Sequence, residues 1–366
     1  MTRVGFASED FAQAGLTLMP GGCSYYRCML PMNAAGPDTA FGKPAFTAAA
    51  GFGVRINGAT AVFGFDQIVL KMVMNKQVVK QIPIAQALGQ RVIVDIDDHF
   101  DGLHDANRAK ELTDPAKNKG FNRDHARAIA ELADVVTVST PFLADYYADK
   151  VKDVRLIRNG INPEQFTIRK QAERPVLGWA GATGWRSNDL EHLRSWLPGF
   201  LDENDLMFLH AGHDPEYPSF HDLTGVDPER MLTMPMQPIY RYHQMLEFDI
   251  GLVPLSVIDF NRAKSCIKGL EYAAAGIPFI ADPLPEYERL AGLGVGRIAR
   301  TPQEWVQHAT ALLPVAARKR EARVQRAIVM RDHTILNTAH QWAALFNEWT
   351  STVPVRQSAI PYGGLI

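Results

Sequence analysis

Two lysines and a glutamate in the second half of the chain have the types and spacing of an anion-binding site. Lys264, Lys268 and Glu271 are separated by four and three residues, so a helix beginning near Ala263 would place them on one face. The two lysines repel each other, and the first turns of a helix already carry partial positive charge. The pattern therefore predicts a bound anion such as a diphosphate. It fits equally well a solvated face on which Lys268 pairs with Glu271.

The surrounding residues extend this candidate site. Asn261 is predicted to cap the helix, and Ser265 lies in the preceding loop sequence FNRAKS. A diphosphate between Lys264, Lys268 and the free N–H groups would satisfy every charged group there. Glu271, one turn further along, is placed to accept hydrogen bonds from ribose hydroxyls.

Three acidic or imidazole side chains follow a buried strand in the first half of the chain. Asp97, Asp98 and His99 come at the end of RVIVDIDDHF, and carboxylates at the end of a parallel strand point into the cleft where ligands bind. They are candidates for orienting an acceptor or taking its proton. The alternative is that Asp97 and Asp98 cap the next helix and touch no substrate. No metal ion is predicted here.

The elements that must position these residues alternate between strands and helices. Short runs rich in Val, Ile and Phe alternate with longer amphipathic stretches, and the alternation restarts after a polar segment bounded by prolines. This pattern predicts an α/β protein with parallel sheets. We expect a first domain over residues 1–162, a linker over 163–175 and a second domain over 176–345, with the last helix able to pack back on the first domain. Residues 351–366 are expected to form a loose tail.

Composition narrows the class of protein. The chain has 366 residues, 46% of them hydrophobic, and a formal net charge of −2. No global field draws it to nucleic acid or to an anionic membrane, although a local basic patch is compatible with this charge. Three cysteines without a regular framework indicate free thiols in a reducing compartment. With neither a signal peptide nor an apolar run of membrane-spanning length, the chain is expected to be a cytoplasmic enzyme.

The order of motifs resembles that of the GT-B glycosyltransferases, particularly the retaining group related to glycogen synthase and bacterial mannosyltransferases. The segment KGLEYAAAGIPFIAD, from Lys268 to Asp282, is similar to the nucleotide-sugar motif of that family. ADVVTVSTPFLADYY, VRLIRNGINPEQF, VLGWAGATGW and FDIGLVPL fit the same family in the same order, so the resemblance covers most of the chain. The chain is also similar to a subgroup of phage and bacterial enzymes with the pattern FN-R-x-K-S-x-x-K-x-x-E. The resemblance implies two Rossmann-like domains whose parallel sheets face each other across a cleft.

The resemblance also implies further site residues. Gly21 and Gly22 correspond to a glycine loop facing the donor phosphates, and Tyr26 and Arg27 beside them would orient the donor or the acceptor. The loop GATGWRSN corresponds to a turn that contacts pyrophosphate. There Gly181 would allow a close approach of the backbone, Thr183 would donate a hydroxyl and Arg186 would pair with charge. A plain tight turn is the alternative for that loop.

The implied function is transfer of a sugar from a nucleoside diphosphate sugar, with retention at the anomeric carbon and without a metal or other cofactor. The acceptor is open among protein, glycan, lipid and nucleic acid. Many relatives have a sugar-contacting Glu eight residues before the ribose Glu, and here that position is Ala263. This difference keeps two alternatives open. One is another enzyme on the same fold, an epimerase or a phosphorylase; the other is a nucleotide-sugar-binding protein without catalysis.

Overall fold

The computed structural model of the chain describes residues 2–14, 17–34, 38–56, 60–105 and 107–349. The predicted tail over residues 351–366 lies outside these described residues. Within them, two large sheets form, each flanked by helices, as the alternation of apolar and amphipathic segments predicts.

The first half of the chain builds an eight-stranded sheet and a separate hairpin. In chain order its strands are Val4–Ser8 (β1), Phe11–Ala14 (β2), Thr17–Pro20 (β3), Thr39–Thr47 (β4), Gly51–Ile56 (β5), Thr60–Val62 (β6), Gln67–Lys71 (β7), Arg91–Ile96 (β8), Val135–Val138 (β9) and Val154–Leu156 (β10). The sheet order is β10-β9-β8-β7-β1-β4-β5-β6, and β2 pairs with β3. The strands from β10 to β4 are parallel, whereas β4, β5 and β6 are antiparallel.

That antiparallel edge is not predicted by the sequence pattern. Strand β4 contains Gly42 and Pro44, which disfavour a strand when read locally. In the structure β4 pairs with β1 only as far as Gly42, so Pro44 lies beyond the parallel ladder and needs no N–H for it. A proline is therefore tolerated inside this strand.

The second half builds a six-stranded sheet that is parallel throughout its described pairs. Its strands are Val176–Ala180 (β11), Met207–His213 (β12), Met231–Pro235 (β13), Ile250–Val253 (β14), Phe279–Ala281 (β15) and Arg297–Ile298 (β16). The order is β13-β12-β11-β14-β15-β16. The strands β11, β14 and β15 are almost wholly buried, as their continuous apolar sequences predict.

Helices connect these strands and cover the sheets. The α-helices are Gly22–Ser24 (α1), Leu30–Ala34 (α2), Lys76–Ala87 (α3), Ala109–Thr113 (α4), Asn122–Leu132 (α5), Pro141–Tyr147 (α6), Ser187–Leu190 (α7), Leu197–Glu203 (α8), Phe220–Thr224 (α9), Asp259–Arg262 (α10), Ile267–Ala274 (α11), Pro285–Gly292 (α12), Pro302–Ala311 (α13), Val315–Asp332 (α14) and Ile335–Asn347 (α15). A π-helical turn over Tyr25–Met29 joins α1 to α2 without interruption. Thr140 caps α6 and Pro141 opens it, as the sequence predicts.

The last helix, α15, packs on the first sheet rather than the second. Its Trp342 and Phe346 are buried with Phe6, and the carbonyl of Phe346 accepts a hydrogen bond of 2.7 Å from Gln67. The chain therefore passes between the two halves a second time before it ends. The proposed boundaries of the two domains stay a prediction.

The helix α14 is the longest of the described helices, with 18 residues. It is rich in lysine and arginine, which keeps it far from the apolar character of a membrane span. Across all the described ranges, no helix is both long enough and apolar enough to cross a bilayer.

Candidate active site

A cleft of about 310 Å³ lies between the two sheets and is here called the central cleft. The ends of β8, β11 and β14 lead directly into it, as expected where parallel strands end in an α/β protein. Both halves of the chain contribute its polar lining: Gly22, Cys23, Tyr26, Asp97, Asp98 and Asn159 from the first, and Gly181, Arg186, Tyr242, Lys264, Ser265, Lys268, Glu271 and Tyr287 from the second.

The helix expected to begin near Ala263 is broken in the structure. A short helix, α10, ends at Arg262, and α11 begins only at Ile267. Lys264 and Ser265 therefore lie in the connection between the two helices, and Lys264 does not share a helix face with Lys268 and Glu271. All four nevertheless line the central cleft, so the break changes how they are held and not where they point.

Lys268 is half-buried at the start of α11. Its ammonium donates to the carbonyl of Ala180, at the end of β11, and lies 5.7 Å from the centroid of the Trp179 ring. Burial lowers the pKa of Lys268 well below its ordinary value, and the nearby Glu271 opposes that shift. The alternative, a surface ion pair between Lys268 and Glu271, is not among the ion pairs of the described residues. Both side chains instead line the central cleft.

Glu271 lies one turn further along α11 and is 4% exposed. The hydroxyl of Tyr26, from the opposite side of the cleft, donates a hydrogen bond to its carboxylate, and Tyr242 lines the cleft beside it. Burial raises the pKa of Glu271, and Lys268 and the tyrosine hydroxyls oppose the shift. Titratable groups with shifted pKa values in a cleft are typical of functional sites.

The two aspartates after β8 are held by lysines. The ammonium of Lys264 lies 2.6 Å from Asp98 and 4.1 Å from the centroid of Phe260. Lys71 forms an ion pair with Asp97. Burial raises the pKa of Asp98, but Lys264 outweighs this and holds it below its ordinary value. The carboxylate of Asp98 is therefore charged where it lines the cleft.

His99 is placed differently from the other candidates after β8. Its ring packs edge-on against Tyr146 and Phe142 of α6, with centroid distances of 4.5 and 5.5 Å. It does not belong to the described lining of the cleft. The imidazole thus packs on the aromatic side chains of α6, and the role of His99 in orienting an acceptor stays a prediction.

The structure places the two residues expected to orient the donor or the acceptor, Tyr26 and Arg27, in different surroundings. Tyr26 reaches across the cleft to Glu271, the residue predicted to bind the donor. Arg27 is fully buried, and its guanidinium bonds Asp95 at 2.6 Å and the carbonyl of Ile157 at 2.6 Å. Arg27 therefore holds the first half of the chain together and is not accessible to an acceptor.

The two glycines at the start of α1 differ in what they face. A Cβ on Gly21 would lie 2.0 Å from a carboxylate oxygen of Asp10, so the close approach of that side chain requires glycine. The N–H of Gly21 already donates to the carbonyl of Asp10. A Cβ on Gly22 would meet no atom within 4 Å, and this residue lines the cleft. Gly22 is therefore the member of the pair that is open to a ligand.

The loop after β11 brings two of its three predicted residues to the cleft. Gly181 and Arg186 line it, and a Cβ on Gly181 would lie 2.7 Å from the Trp179 ring. The N–H of Gly181 donates to the carbonyl of Ala211 and is therefore not available to a ligand. Gly181 contributes to the cleft only by leaving the space that a side chain would fill. Thr183 is 1% exposed at the start of a 3-10 turn and lies outside the described lining.

Asn261 and Ser265 position other residues. Asn261 is buried in α10, where its amide donates to Asp189 at 2.7 Å and to the carbonyl of Ser256 at 2.9 Å. It does not cap α11, whose first residue follows Cys266. Ser265 accepts a hydrogen bond of 2.9 Å from Asn159, across the cleft.

Several lining residues are not found by sequence reasoning. Trp179, Tyr242 and Tyr287 are aromatic and look like ordinary core residues in their local patterns. Cys23 lies with Asp97 and Asp98 in a group whose ligand atoms all fall within 4.8 Å of one another. A polar residue directly after a conspicuous Gly-Gly pair is the only local signal that could have indicated Cys23.

Known proteins show where this architecture occurs. No protein-family model matches the chain. The putative teichuronic acid biosynthesis glycosyltransferase TuaH of Bacillus subtilis (strain 168) is 28% identical over 177 residues, which span 44% of this chain and 43% of that protein. The match thus covers less than half of the relative's length.

Solved structures match over nearly the whole chain. Sucrose-phosphate synthase from Thermosynechococcus elongatus superposes with a TM-score of 0.64 at 14% identity, covering 95% of this chain and 99% of that one. HepE from Anabaena, in complex with UDP-glucose, gives 0.63 at 14% identity over 95% and 100%. A trehalose-phosphate synthase from Burkholderia vietnamiensis gives 0.59 at 11% identity over 95% and 99%. The predicted architecture is confirmed: this chain has the GT-B glycosyltransferase fold.

Proposed function

We propose that the protein is a glycosyltransferase that moves a sugar from a nucleoside diphosphate sugar to an acceptor. The observation that carries this proposal is the convergence of Lys264, Lys268 and Glu271 on one cleft between two Rossmann-like sheets. Solved neighbours with the same fold include HepE bound to UDP and to UDP-glucose. UDP-glucose is therefore the first donor to test.

The donor diphosphate would lie at the start of α11, against Lys268 and Arg186. Positive side chains and the helix start stabilise the charge that develops on the leaving diphosphate. Glu271 would accept hydrogen bonds from the ribose, with Tyr26 completing its shell. Gly22 leaves room for the phosphates or the sugar on the opposite wall.

The acceptor would enter from a second cavity of about 610 Å³ that adjoins the central cleft and is here called the side cavity. The two share Cys23, Asp98, Arg186 and Lys264. Asp98 therefore stands where donor and acceptor would meet, and we assign it the orientation of the acceptor hydroxyl or acceptance of its proton. Closure of the two halves would exclude water that hydrolyses the donor.

We further propose that transfer needs no metal ion. Lys268 and Arg186 supply positive charge where a metal would otherwise be needed, and Asp97 and Asp98 are already neutralised by Lys71 and Lys264. The described residues that could bind a cation are Cys23, Asp97 and Asp98. Activity that survives treatment with EDTA supports this part of the proposal, and loss restored by Mg²⁺ or Mn²⁺ overturns it.

Retention at the anomeric carbon stays a prediction. Ala263, at the position where relatives have a sugar-contacting Glu, is fully buried against the first half of the chain, and its carbonyl accepts a 2.8 Å hydrogen bond from Thr140. Another group must therefore contact the donor sugar. The anomeric configuration of the product, read by NMR, decides between retention and inversion.

The test of the function is release of nucleoside diphosphate from UDP-, GDP-, ADP- and TDP-sugars, with and without candidate acceptors. A transferase releases the diphosphate faster with an acceptor than without one. An epimerase would convert the donor sugar without any acceptor. A binding protein without catalysis would be stabilised by the donor but release no diphosphate at all.

Donor affinity should depend on pH with a maximum between about 7 and 8. Burial lowers the pKa of Lys268 to about 8, so above that pH the free protein loses the charge that binds the diphosphate. Burial raises the pKa of Glu271 to about 7, so below that pH the protein loses the charge that accepts ribose hydroxyls. Donor affinity should fall above this range because Lys268 must take up a proton before it binds the diphosphate. It should fall below this range because Glu271 must release a proton before it accepts the ribose hydroxyls. Isothermal titration calorimetry with an intact UDP-sugar measures the donor affinity at each pH. An intact UDP-sugar has no terminal phosphate whose own protonation would change with pH.

The control for this profile is Glu271→Gln. This variant should lose the fall in donor affinity below about pH 7 and keep the fall above about pH 8. Because Glu271 opposes the shift of Lys268, its loss should also move the alkaline limb to lower pH. A flat profile in the unmodified protein would show that neither group titrates at the donor site.

A further inference from the structure

A third cavity, of about 620 Å³, lies away from the central cleft, between the linker and α14. We call it the basic groove. Its basic lining residues are Arg169, Lys170, Lys319, Arg323 and Arg326, and Gly276 also lines it. Gly276 follows the end of α11, whose other end carries Lys268 into the cleft. The groove and the cleft therefore lie at opposite ends of the same helix.

The groove concentrates positive charge in a chain whose formal net charge is −2. Lys319, Arg323 and Arg326 have the spacing i, i+4 and i+7 on α14, so they share a face although their charges repel. The described lining contains no carboxylate. Arg169 is compensated from outside it by Glu247 and Asp249.

The other cations of the groove have no carboxylate partner, and unlike the scattered exposed arginines of the described surface they lie together. Within the described ranges, Lys170, Lys319, Arg323 and Arg326 form no ion pair: they are absent from every pair that the structure defines. Unpaired charges clustered on one face indicate a missing anionic partner.

One atom in the groove needs such a partner more directly. The Nη1 of Arg326 is buried and has no hydrogen-bond acceptor among the described residues, while its Nη2 donates to the carbonyl of Phe166 at 3.3 Å. A buried donor without an acceptor is unfavourable, and burial lowers the pKa of Arg326. A phosphate oxygen in the groove would supply the acceptor that Nη1 lacks.

The apolar residues of the groove favour an anionic membrane surface over a nucleic acid as the binding partner. Ile168 at its edge is 67% exposed, and Ala322, Ala327 and Met330 form apolar lining. An exposed aliphatic side chain beside lysines and arginines suits the boundary between headgroups and acyl chains. Single-stranded nucleic acid is bound with aromatic stacking platforms, and the described lining contains no aromatic residue.

We propose that the basic groove binds the phosphate headgroup of anionic phospholipids and so holds the protein on a membrane surface. Lys170, Lys319, Arg323 and Arg326 would contact the phosphate, and Ile168 would enter the interface. Because the groove lies at the far end of α11, a membrane bound there leaves the central cleft open to donor. Membrane binding is independent of the proposed transferase activity.

The test is sedimentation of the full chain with vesicles. Vesicles of equal parts phosphatidylcholine and phosphatidylglycerol should bind the protein in a salt-sensitive manner, and phosphatidylcholine alone should not. The double variant Lys319→Glu/Arg323→Glu should lower the partition coefficient at least about tenfold, since each basic residue near an anionic surface raises it several-fold. Ile168→Ser should weaken binding by a smaller factor.

The matched control is Arg320→Glu/Arg331→Glu, which makes the same change of net charge on α14 outside the groove lining. It should bind vesicles nearly as well as the unmodified protein, and donor-induced stabilisation should be unchanged in all these variants. Equal loss in the control, or equal binding to neutral vesicles, overturns the proposal. So does stabilisation by inorganic phosphate, or by single-stranded DNA, that depends on Arg323 when vesicle binding is absent.

Discussion

Lys268→Ala is expected to remove much of the stabilisation of the protein by its donor, and Glu271→Ala is expected to have the same effect. Each removes a charge-assisted contact that contributes about 1.5–3 kcal/mol, so Kd should rise roughly 10- to 150-fold. At a donor concentration of about 100 times Kd, the unmodified protein gains about 2.7 kcal/mol of stability. A variant with a 100-fold higher Kd gains only about 0.4 kcal/mol at that concentration. A thermal-shift titration with UDP-glucose measures the difference.

The matched control for these variants is Arg262→Ala. Arg262 lies two residues before Lys264, but its side chain is 49% exposed and outside the described lining of the cleft. Removing it also takes one positive charge from the same region, so a nonspecific field effect would appear in this control as well. The melting temperature of each variant without donor shows whether the fold is intact. If both cleft variants still respond fully to the donor, α11 does not bind it.

The prediction of Lys268 and Glu271 from sequence was possible because both lie on one regular helix. Helical periodicity fixes their relative direction, and the Gly-x-Pro exit after Ala275 fixes the end of the helix. The strand ends before Asp97 and Gly181 could be predicted from the sequence equally well, because buried strands have continuous apolar sequences. Residues that follow such strands reach the cleft by the topology alone.

The break before α11 was not predictable by the same reasoning. AKSCIKGLEYAAAG has helical propensity throughout, and no proline or glycine separates Lys264 from Ile267. Tertiary contacts decide the break instead. The carbonyl of Ala263 accepts from Thr140, and Lys264 pairs with Asp98, both from the first half of the chain. Local propensity contains no information on such contacts.

The same limit explains why the sequence does not predict the contacts of Tyr26 and Arg27. Tyr26 and Glu271 are 245 residues apart, and only the packing of the two halves brings them together. Arg27 follows a predicted ligand-binding loop, which favours an exposed role in a sequence argument. Its partner Asp95 points inward from the middle of a predicted strand, where a carboxylate without a partner would be very unfavourable. The need of Asp95 for a cation was the signal that could have identified Arg27 as buried.

The second large effect expected is a loss of stability in Arg27→Met. Arg27 makes its contacts without any exposure to solvent: two nitrogens bond Asp95, and Nη1 bonds the carbonyl of Ile157 and the side chain of Asn159. Burial alone would raise the pKa of Asp95, but Arg27 and Lys71 hold it below its ordinary value, so the carboxylate is charged. Removing one partner of a buried ion pair costs about 3–5 kcal/mol, because the other charge stays buried.

The free energy of unfolding in urea, compared between the variant and the unmodified protein, measures this cost. Arg155→Met is the matched control, because Arg155 pairs with Asp153 on the surface and such pairs contribute about 0–1 kcal/mol. In a double-mutant cycle, Arg27→Met combined with Asp95→Leu should cost less than the sum of the single variants, since no unpaired carboxylate remains. Lys71 keeps Asp97 as a partner in that background. A cost below about 1 kcal/mol for Arg27→Met would mean that Lys71 and Thr137 alone suffice to hold the charge of Asp95.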